Sequence, residues 1–407
     1  MRTIHIRQSL ALLRTRRFGT FWFASLLANI GTWAQQMAQP WLLLSLGASP
    51  FLLGLDAFAL GAPVLLLTLV GGALADRSDR RRVIAFFQSI QMLCPMVLVV
   101  LLLNGSAQPW VVIVLSLVVG VTDALSMPSF QSIVPSIVER DQIATGIALN
   151  STQFNLSRIL GPALAGVLMA GVGIVGAFAV SALSYVPFIL VAVWILPRKM
   201  SAVAESESSR WDGAALWASV REVIHEPQLR GALQTVFVTA SLCAPLITFC
   251  PLLVKDVFHG GAGQFSTALG AFGVGGLIGG SGLLAVDPNS DRRFISAGFA
   301  ISYGVIVMLA ALNPWAWGLP ALLVLAGVAM TASNASANGL LQTHAPERIR
   351  GQSVSMFMLA MRGGMALGSL VTGLAVHLLG VSEALLLNGV VAVMVQFFIR
   401  RSWLKAL

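Results

Sequence analysis

"GGALADRSDRRRV", residues 71–83, holds six charged side chains, although Lys, Arg, Asp and Glu make up only 10% of the chain. Long apolar runs lie on both sides of this stretch. If both runs are helices, Asp76 lies near the C-terminus of the first, and Arg80, Arg81 and Arg82 lie at the N-terminus of the second. That order is the reverse of the one that helix dipoles favour. The charges therefore indicate a role other than helix stability.

The composition is that of a membrane protein. Hydrophobic residues make up 57% of the chain, and the charged fraction is well below the about 25% that soluble domains carry. Apolar stretches of roughly 20 residues recur, which is the length that a helix needs to cross a bilayer. No long alternation of apolar and polar residues favours a transmembrane β-barrel. We predict an all-α integral membrane protein.

Hydropathy, with turn residues as boundaries, predicts twelve transmembrane helices. They are expected near residues 18–46, 51–75, 82–104, 108–126, 142–170, 172–196, 229–257, 263–286, 293–312, 315–339, 350–378 and 381–401. The longest polar stretch separates the sixth helix from the seventh, and we expect a cytoplasmic linker with a short surface helix there.

Basic residues support this count, because 22 of the 25 lysines and arginines fall at the two termini and in one set of alternate loops. Lys255 alone lies in the opposite loops, and Arg158 and Arg362 lie within predicted helices. By the positive-inside rule both termini are cytoplasmic. The net charge of +9 is therefore explained by topology and not by nucleic-acid binding. The expected location is the inner membrane of a bacterium.

Two long stretches resemble each other: "ERDQIATGIALNSTQFNLSRILGPALAG" (139–166) and "ERIRGQSVSMFMLAMRGGMALGSLVTG" (347–373). Both begin with Glu-Arg, carry an arginine within a helix and end in Gly-x4-Gly. The charged stretch 71–83 has a weaker counterpart in "GGSGLLAVDPNSDRR" (279–293). Many transporters consist of two such halves. We predict an N-terminal six-helix half (1–196), a linker (197–228) and a C-terminal six-helix half (229–407), related by a parallel pseudo-two-fold axis.

The charged stretch resembles the loop signature G-x-x-x-D-R-x-x-R-R of the major facilitator superfamily. Gly72, Asp76, Arg77, Arg80 and Arg81 match this signature, and Asp79 replaces a glycine that many members have. Other stretches, among them "NIGTWAQQMAQPWLL", "TDALSMPSFQSIVP" and "LLQTHAPERIRGQSVS", resemble the branch that contains the enterobactin exporter and macrolide efflux proteins. The resemblance covers nearly the whole chain and does not specify a substrate.

The resemblance implies a latch in the loop between helices 2 and 3. Asp76 would face the N-terminus of helix 11, and Arg80 would pair with Asp123, which is expected near the cytoplasmic end of helix 4. Such contacts would break and re-form in each transport cycle. The alternative is that the charges only enforce topology.

Polar residues at helical spacing predict a cavity, because lipid offers them no partner. Stripes occur on helix 1 (Ser25, Asn29, Thr32, Gln36 and Gln39, bordered by Trp33), helix 7 (Gln234, Ser241 and Thr248) and helix 10 (Thr331, Asn334, Asn338 and Gln342). In the family that the chain resembles, helices 1, 4, 7 and 10 line the cavity. We predict Asn29, Trp33, Gln36, Gln234, Asn334 and Asn338 as lining residues, and hydrogen bonding between helices is the alternative.

Arg158 and Arg362 lie near the middle of the membrane, where an arginine costs roughly 2.5–3.5 kcal/mol. They are expected either to attract an anionic or oxygen-rich substrate, such as a siderophore, or to serve structure, for instance by pairing of Arg158 with Asp123.

No nucleotide-binding motif, paired acids or metal-binding cluster occurs. We therefore expect no cofactor, no enzymatic activity and a proton gradient as the energy source. Asp56 and Asp123 are the candidate coupling carboxylates, and His377 is a weaker one. Asp56 lies near the outer end of helix 2, so simple solvation is the alternative there.

The sequence thus predicts a monomeric secondary transporter in membrane lipid. It would export a siderophore or a lipophilic drug by alternating access in exchange for protons. A facilitator or importer of the same fold is the alternative, and a polytopic enzyme is disfavoured.

Overall fold

The computed structural model describes residues 10–139, 142–196, 221–286, 290–346 and 349–405, and within these ranges the regular structure is helical throughout. Twelve long helical regions follow one another. They are α1 (Arg16–Ser45), α2 (Pro50–Arg77), α3 (Arg80–Leu103), α4 (Pro109–Ile137), α5 (Ile143–Gly171), α6 (Gly173–Trp194, interrupted at Tyr185), α7 (Pro227–Val257), α8 (Ala262–Ala285), α9 (Arg292–Leu312), α10 (Gly318–His344), α11 (Arg350–Leu379) and α12 (Val381–Lys405).

The helix boundaries follow the prediction closely, with one clear error at α4. We expected α4 to end near residue 126, and the helix continues to Ile137. It does so through Pro128 and Pro135, which lie inside it. Membrane helices tolerate an internal proline, because neighbouring groups satisfy the carbonyl that it leaves free. The prediction treated the residues after 126 as a loop. It therefore put the residues just before 126 too close to the end of the helix.

Among the described residues, ten of these helices are long and apolar enough to cross a membrane. The other two, α1 and α8, are 30 and 24 residues long. α1 carries the amides Asn29, Gln35, Gln36 and Gln39, which lower its hydropathy, and α8 is rich in glycine. Most of the predicted linker, residues 197–220, lies outside the described residues, and its described part is helical at 221–225.

The chain divides into two compact units. Unit 1 comprises Met1–Gln39 and Pro63–Glu207, and unit 2 comprises Pro40–Ala62 and Ser208–Leu407. The predicted halves differ from these units in one segment, the hairpin Pro40–Ala62, which joins α1 to α2 and groups with unit 2. Both of its boundaries fall at a proline inside a helix, Pro40 in α1 and Pro63 in α2. Proline lacks the N–H that would continue the helical ladder, so these are points where a helix can bend.

Unit 1 is held together by aromatic side chains and by close packing of α1 on α5. The rings of Phe21, Phe130 and Phe188 lie 5.3–5.7 Å apart, centroid to centroid. Gly161 of α5 fits directly against Trp33, because a Cβ atom there would lie 2.3 Å from the Cβ atom of Trp33. A side chain at position 161 would separate the two helices.

Unit 2 repeats this arrangement with different residues. Gly368 of α11 lies against Ser241 of α7, and a Cβ atom at Gly368 would lie 2.0 Å from the Ser241 carbonyl oxygen. The pair α11 and α7 therefore corresponds to the pair α5 and α1 of unit 1. Two glycines of α8, Gly275 and Gly279, also serve packing. Cβ atoms at these two positions would lie 2.0 Å and 2.8 Å from main-chain oxygens of α10.

The hairpin Pro40–Ala62 packs on helices of unit 2. The indole of Trp41 stacks on the ring of Phe265 in α8, with centroids 5.2 Å apart and planes inclined by 13°. Gly54 of α2 meets α11 at Gly373, since a Cβ atom on Gly373 would lie 3.1 Å from the Cα atom of Gly54. A Cβ atom at Gly61 would similarly lie 2.6 Å from the Cβ atom of Ala366.

Candidate functional site

The charged stretch contains a helix cap that the sequence analysis missed. Asp79 adopts extended backbone geometry, and its carboxylate accepts a hydrogen bond of 3.0 Å from the main-chain N–H of Arg81. Asp79 is thus the N-cap of α3, and it also lies 3.8 Å from exposed Arg82. Asp291 caps α9 in the same way, through the N–H of Arg293 at 2.9 Å. The weak repeat between residues 71–83 and 279–293 therefore preserves a cap.

The other latch residues are located only in part. The structure does not describe the side chains of Asp76 and Arg77. Gly72 has open space where a Cβ atom would be. Arg80 and Arg81 are partly exposed at the start of α3. The latch itself stays a prediction.

Asp123 lies in the middle of α4 and not near its end, because α4 extends 14 residues further to Ile137. Its Oδ1 accepts a hydrogen bond of 3.3 Å from Nε2 of Gln91 in α3. Gln91 is eleven residues from Arg80, a rise of about 16 Å along the helix, whereas the prediction placed Arg80 beside Asp123. The pairing of Arg80 with Asp123 also stays a prediction.

A buried polar network surrounds Asp123. Oε1 of Gln91, whose amide binds the carboxylate, accepts 3.0 Å from the amide of Gln88, one turn earlier in α3. On the α6 side, the hydroxyl of Tyr185 is 2.7 Å from Oγ1 of Thr32 in α1. Hydrogen bonds between side chains thus join α3 to α4 and α6 to α1 within unit 1.

Tyr185, Gln88 and Gln91 were not predicted as functional residues. Tyr185 is only 2% exposed, and it lies where α6 is interrupted, two residues before Pro187. A lone tyrosine in an apolar run carries no periodic signal. The one available indication was the rarity of the residue, since the chain has two tyrosines.

The predicted stripe of α1 divides between two roles. Gln39 donates 2.6 Å to Ser116 of α4, and Thr32 contacts Tyr185. These two residues therefore take the alternative of bonding between helices. Asn29 is partly buried and donates to Ser25, one turn away, at 3.4 Å. Trp33 is buried and forms an edge-on contact of 6.3 Å with Phe154. Gln36 is partly buried.

Gln35, which lies outside the predicted stripe, is also engaged. The hydroxyl of Ser181 in α6 lies 2.9 Å from Oε1 of Gln35 and 3.0 Å from the carbonyl oxygen of Gly31. On α5, Arg158 is buried. Five residues earlier in the same helix, Gln153 is fully buried, and both polar atoms of its side-chain amide lack a hydrogen-bond partner among the described residues.

The predicted residues of unit 2 have mixed surroundings. Asn334 is buried in α10, and its Oδ1 has no hydrogen-bond partner among the described residues. Asn338 accepts 3.2 Å from Gln342. Gln234 is exposed, and Arg362 is partly buried on α11.

The polar stripe predicted on α7 does not keep regular helical spacing, because α7 is not α-helical throughout. Two wider turns, Thr239–Cys243 and Leu253–Val257, interrupt its α-helical geometry. Thr248 lies 3.5 Å from Ser369 of α11, so it contacts a neighbouring helix.

Asp56 is buried, with 5% of its surface exposed. This burial argues against the alternative that Asp56 is simply solvated near the end of α2. Among the described residues, no group of three or more His, Cys, Asp or Glu side chains is placed to hold a metal ion.

Comparison with known proteins places the chain among transporters. A sequence profile of the family described as "transmembrane secretion effector" matches residues 7–407. A staphyloferrin A transporter of Staphylococcus aureus is 25% identical over 403 residues, which cover 94% of this chain and 96% of that protein. The multidrug efflux pump Tap of Mycolicibacterium fortuitum is 28% identical over 389 residues, which cover 91% of this chain and 93% of the pump.

Solved structures show the fold. The nucleoside transporter NupG superposes with a TM-score of 0.74 at 13% identity, over 95% of this chain and 99% of that one. A bacterial homolog of the human lysosomal transporter Spinster, solved in an inward-facing and unoccupied conformation, gives a TM-score of 0.70 at 16% identity. That match covers 97% of this chain and 98% of the other.

Proposed function

Because the chain belongs to the transmembrane secretion effector family of the major facilitator superfamily, we propose that it is a secondary active exporter of small molecules. The chain is a multi-pass membrane transporter and not an enzyme. The predicted fold class is confirmed. The direction, the substrate and the energy source are what we propose.

Two relatives cover almost the whole chain, a staphyloferrin A transporter and a multidrug efflux pump by name, and the second of them is the observation that carries export. The substrate classes that we propose follow from them, namely a siderophore or a lipophilic drug. Arg158, an arginine buried in α5, favours the first class, because a cation inside a membrane protein attracts anionic, oxygen-rich ligands. Arg362 is the corresponding arginine of α11.

Proton exchange is the proposed energy source. One proton that moves down about 100 mV and one pH unit releases about 3.7 kcal/mol, which supports a concentration ratio of several hundredfold. Two carboxylates lie within apolar helices, Asp56 in α2 and Asp123 in α4, and these are the coupling groups that we propose. We propose a monomer in the bacterial inner membrane, with both termini cytoplasmic as the distribution of arginines predicts.

Transport into inverted membrane vesicles tests this function. Energised vesicles from cells that produce the protein are expected to accumulate a member of a panel of siderophores and lipophilic dyes, and a protonophore should abolish the accumulation. Vesicles that carry Asp123→Asn serve as the control for membrane leakage. Accumulation only in right-side-out vesicles would identify an importer, and equilibration that the protonophore does not affect would identify a facilitator.

A further inference from the structure

The end of α12 carries an arginine that lies over an exposed aromatic ring of α9. We propose that Arg400, Arg401 and Phe294 bind the headgroup of an anionic phospholipid, and that an acyl chain of this lipid lies along the adjoining face of α12. The site goes beyond the proposed transport function, because lipid binding can be measured without a transported substrate.

The contact between Arg400 and Phe294 holds the cation in place. The Cζ atom of Arg400 lies over the Phe294 ring, 5.8 Å from its centroid. At this distance the negative face of the ring attracts the guanidinium. The ring offers no oxygen or nitrogen acceptor, so the five N–H groups of the guanidinium keep their capacity to donate hydrogen bonds. Arginine donors in this fork arrangement match two oxygens of one phosphate group.

The charge at this end of α12 is not neutralised by the part of the chain that the structure describes. Among those residues, neither Arg400 nor Arg401 has an ion-pair partner within 4 Å. The acidic residue closest to Phe294 in sequence is Asp291, and both of its carboxylate oxygens already accept hydrogen bonds from Arg293. Two adjacent positive charges therefore remain, and they are complementary to an anion.

Exposed apolar side chains continue from the arginines along α12, which distinguishes a phospholipid from a soluble anion. Phe397 is 55% exposed and lies four residues before Arg401, so the two side chains share one face of the helix. Met394, three residues before Phe397, is exposed as well. Exposed side chains of this kind on a membrane-spanning helix face hydrocarbon. A soluble phosphate would contact only the arginines, whereas a phospholipid also covers the apolar face.

α9 leaves room for an acyl chain beside this face. The two helices run antiparallel, because Gly389 early in α12 packs on Met308 late in α9, where a Cβ atom on the glycine would lie 2.5 Å from Cγ of the methionine. The beginning of α9 therefore lies beside the end of α12. There, Gly298 follows exposed Phe294 by one turn, and nothing lies within 4 Å of a Cβ atom on this glycine. The ring and the glycine thus form a step on the surface of α9.

The site is anchored by Trp403, which follows the two arginines. Its indole is 2% exposed and packs on Gly231 of α7, where a Cβ atom would lie 2.6 Å from the indole ring. Arg400 and Arg401 therefore extend from a packed helix end. A ligand that binds them loses less conformational entropy in ordering the site than it would on a free tail.

The positive-inside rule explains why arginines lie at this end of the chain, but it requires only positive charge. It does not require an arginine over an aromatic ring or an exposed apolar face that leads to it. Basic pockets between transmembrane helices on the cytoplasmic side bind acidic lipid headgroups. Arg82 at the start of α3 provides the contrast, since it is exposed but lies 3.8 Å from the carboxylate of Asp79.

Native mass spectrometry of the purified full-length protein in detergent tests the site by counting bound lipids. The probes are phosphatidylglycerol and phosphatidylcholine with the same acyl chains, and glycerol 3-phosphate as the soluble anion. The original protein should bind one phosphatidylglycerol about tenfold more tightly than phosphatidylcholine. The double variant Arg400→Gln/Arg401→Gln should lose this preference, and Phe294→Leu should weaken it about threefold, because the ring that holds Arg400 is gone. Arg82→Gln removes one positive charge elsewhere and should leave the preference unchanged.

Several results would overturn the proposal. They are equal binding of the two lipids by the original protein, a preference that survives in the double variant, and a loss in Arg82→Gln as large as in the double variant. Binding of glycerol 3-phosphate as tight as that of the lipid would identify a soluble anion as the ligand, and a lipid-free dimer would identify a second copy of the chain as the occupant of this face. If the double variant does not fold, Arg400→Lys decides, since it keeps the charge without the fork of donors and should bind phosphatidylglycerol about threefold more weakly.

Discussion

At the start of α9 a single carboxylate binds both a helix end and an arginine. The Asp291 carboxylate accepts a hydrogen bond from the main-chain N–H of Arg293. Both of its oxygens also accept hydrogen bonds from the Arg293 guanidinium, and all of these distances are 2.7–3.1 Å. The hydrogen bond from the Arg293 side chain lowers the pKa of Asp291 below its ordinary value. Asp79 occupies the matching position of α3 and has only the main-chain bond and a longer contact with Arg82.

The lowered pKa predicts a loss of stability in acid. A carboxyl whose pKa is lower in the folded state adds stability above its unfolded pKa of about 3.9, and this contribution disappears as the pH falls through the folded value. We expect the thermal unfolding midpoint in detergent to fall less below about pH 4 for Asp291→Asn than for the original protein. Equal acid dependence of Asp291→Asn and the original protein would contradict the assignment.

Capping itself predicts a separate effect at neutral pH. Asp291→Ala removes the acceptor at the start of α9 and should cost about 0.5–2 kcal/mol of stability, whereas Asp291→Asn retains an acceptor and should cost less. Unfolding in a denaturing detergent at pH 7 measures both. A larger loss for the asparagine variant would show that the ion pair, and not the cap, is the main contribution.

At the scale of helices, the contact between α7 and α11 depends on Gly368. A wide turn in α7 ends at Cys243, and the carbonyl of Ser241 within it points at Gly368, where a Cβ atom would lie 2.0 Å away. The obstacle is main chain, which cannot move aside without displacing a helix. Gly270 of α8 is the opposite case, since nothing lies within 4 Å of a Cβ atom there.

Gly368→Ala should therefore destabilise the protein by about 1–3 kcal/mol, the usual cost of overpacking. Gly270→Ala should be neutral or should stabilise by up to about 1 kcal/mol, because alanine is the better helix former. Detergent unfolding of the two variants side by side gives the comparison. A loss of stability in Gly270→Ala as large as that in Gly368→Ala would contradict the packing described here.

The helices could be predicted because twenty apolar residues between polar boundaries leave little choice of structure in a membrane. Pro128 shows the limit, since sequence alone does not tell whether neighbouring helices satisfy the carbonyl that a proline frees. The stripe of α1 shows another limit. Helical spacing put Asn29 and Gln39 on the same polar stripe of α1. Gln39 forms a hydrogen bond to another helix because Ser116 of α4 lies next to it, and the position of Ser116 cannot be read from that spacing. The network of Tyr185 joins residues more than 150 positions apart, and no local pattern encodes it.

At the scale of the whole molecule, the units do not coincide with the sequence repeat. The repeat ends each half at a linker, whereas the hairpin Pro40–Ala62 belongs by sequence to the first half and by contact to unit 2. Its packing rests on Gly54, where a Cβ atom would lie 2.4 Å from the main-chain oxygen of Ser369. Asp56, two residues later, is buried in the same segment.

This contact predicts a change in accessibility. In a background without Cys94, Cys243 and Cys250, Asp56→Cys should react slowly with a water-soluble maleimide. Adding Gly54→Val should raise the rate about tenfold, because a side chain at position 54 cannot fit against α11. Ser106→Cys, in the exposed loop after α3, is the control and should react quickly in both backgrounds. Fast labelling of Asp56→Cys without the valine would contradict the burial of this position.

The hairpin also determines how the protein would behave if it were made in two pieces. A chain interrupted within 197–220 gives an amino-terminal fragment that carries Trp41 and Gly54, whose partners Phe265 and Gly373 belong to the other fragment. Two co-expressed fragments would therefore bind each other through this hairpin. The first fragment made alone would expose Trp41 and Gly54 without their packing partners. Complementation between split genes should accordingly fail when Pro40–Ala62 is deleted from the first piece.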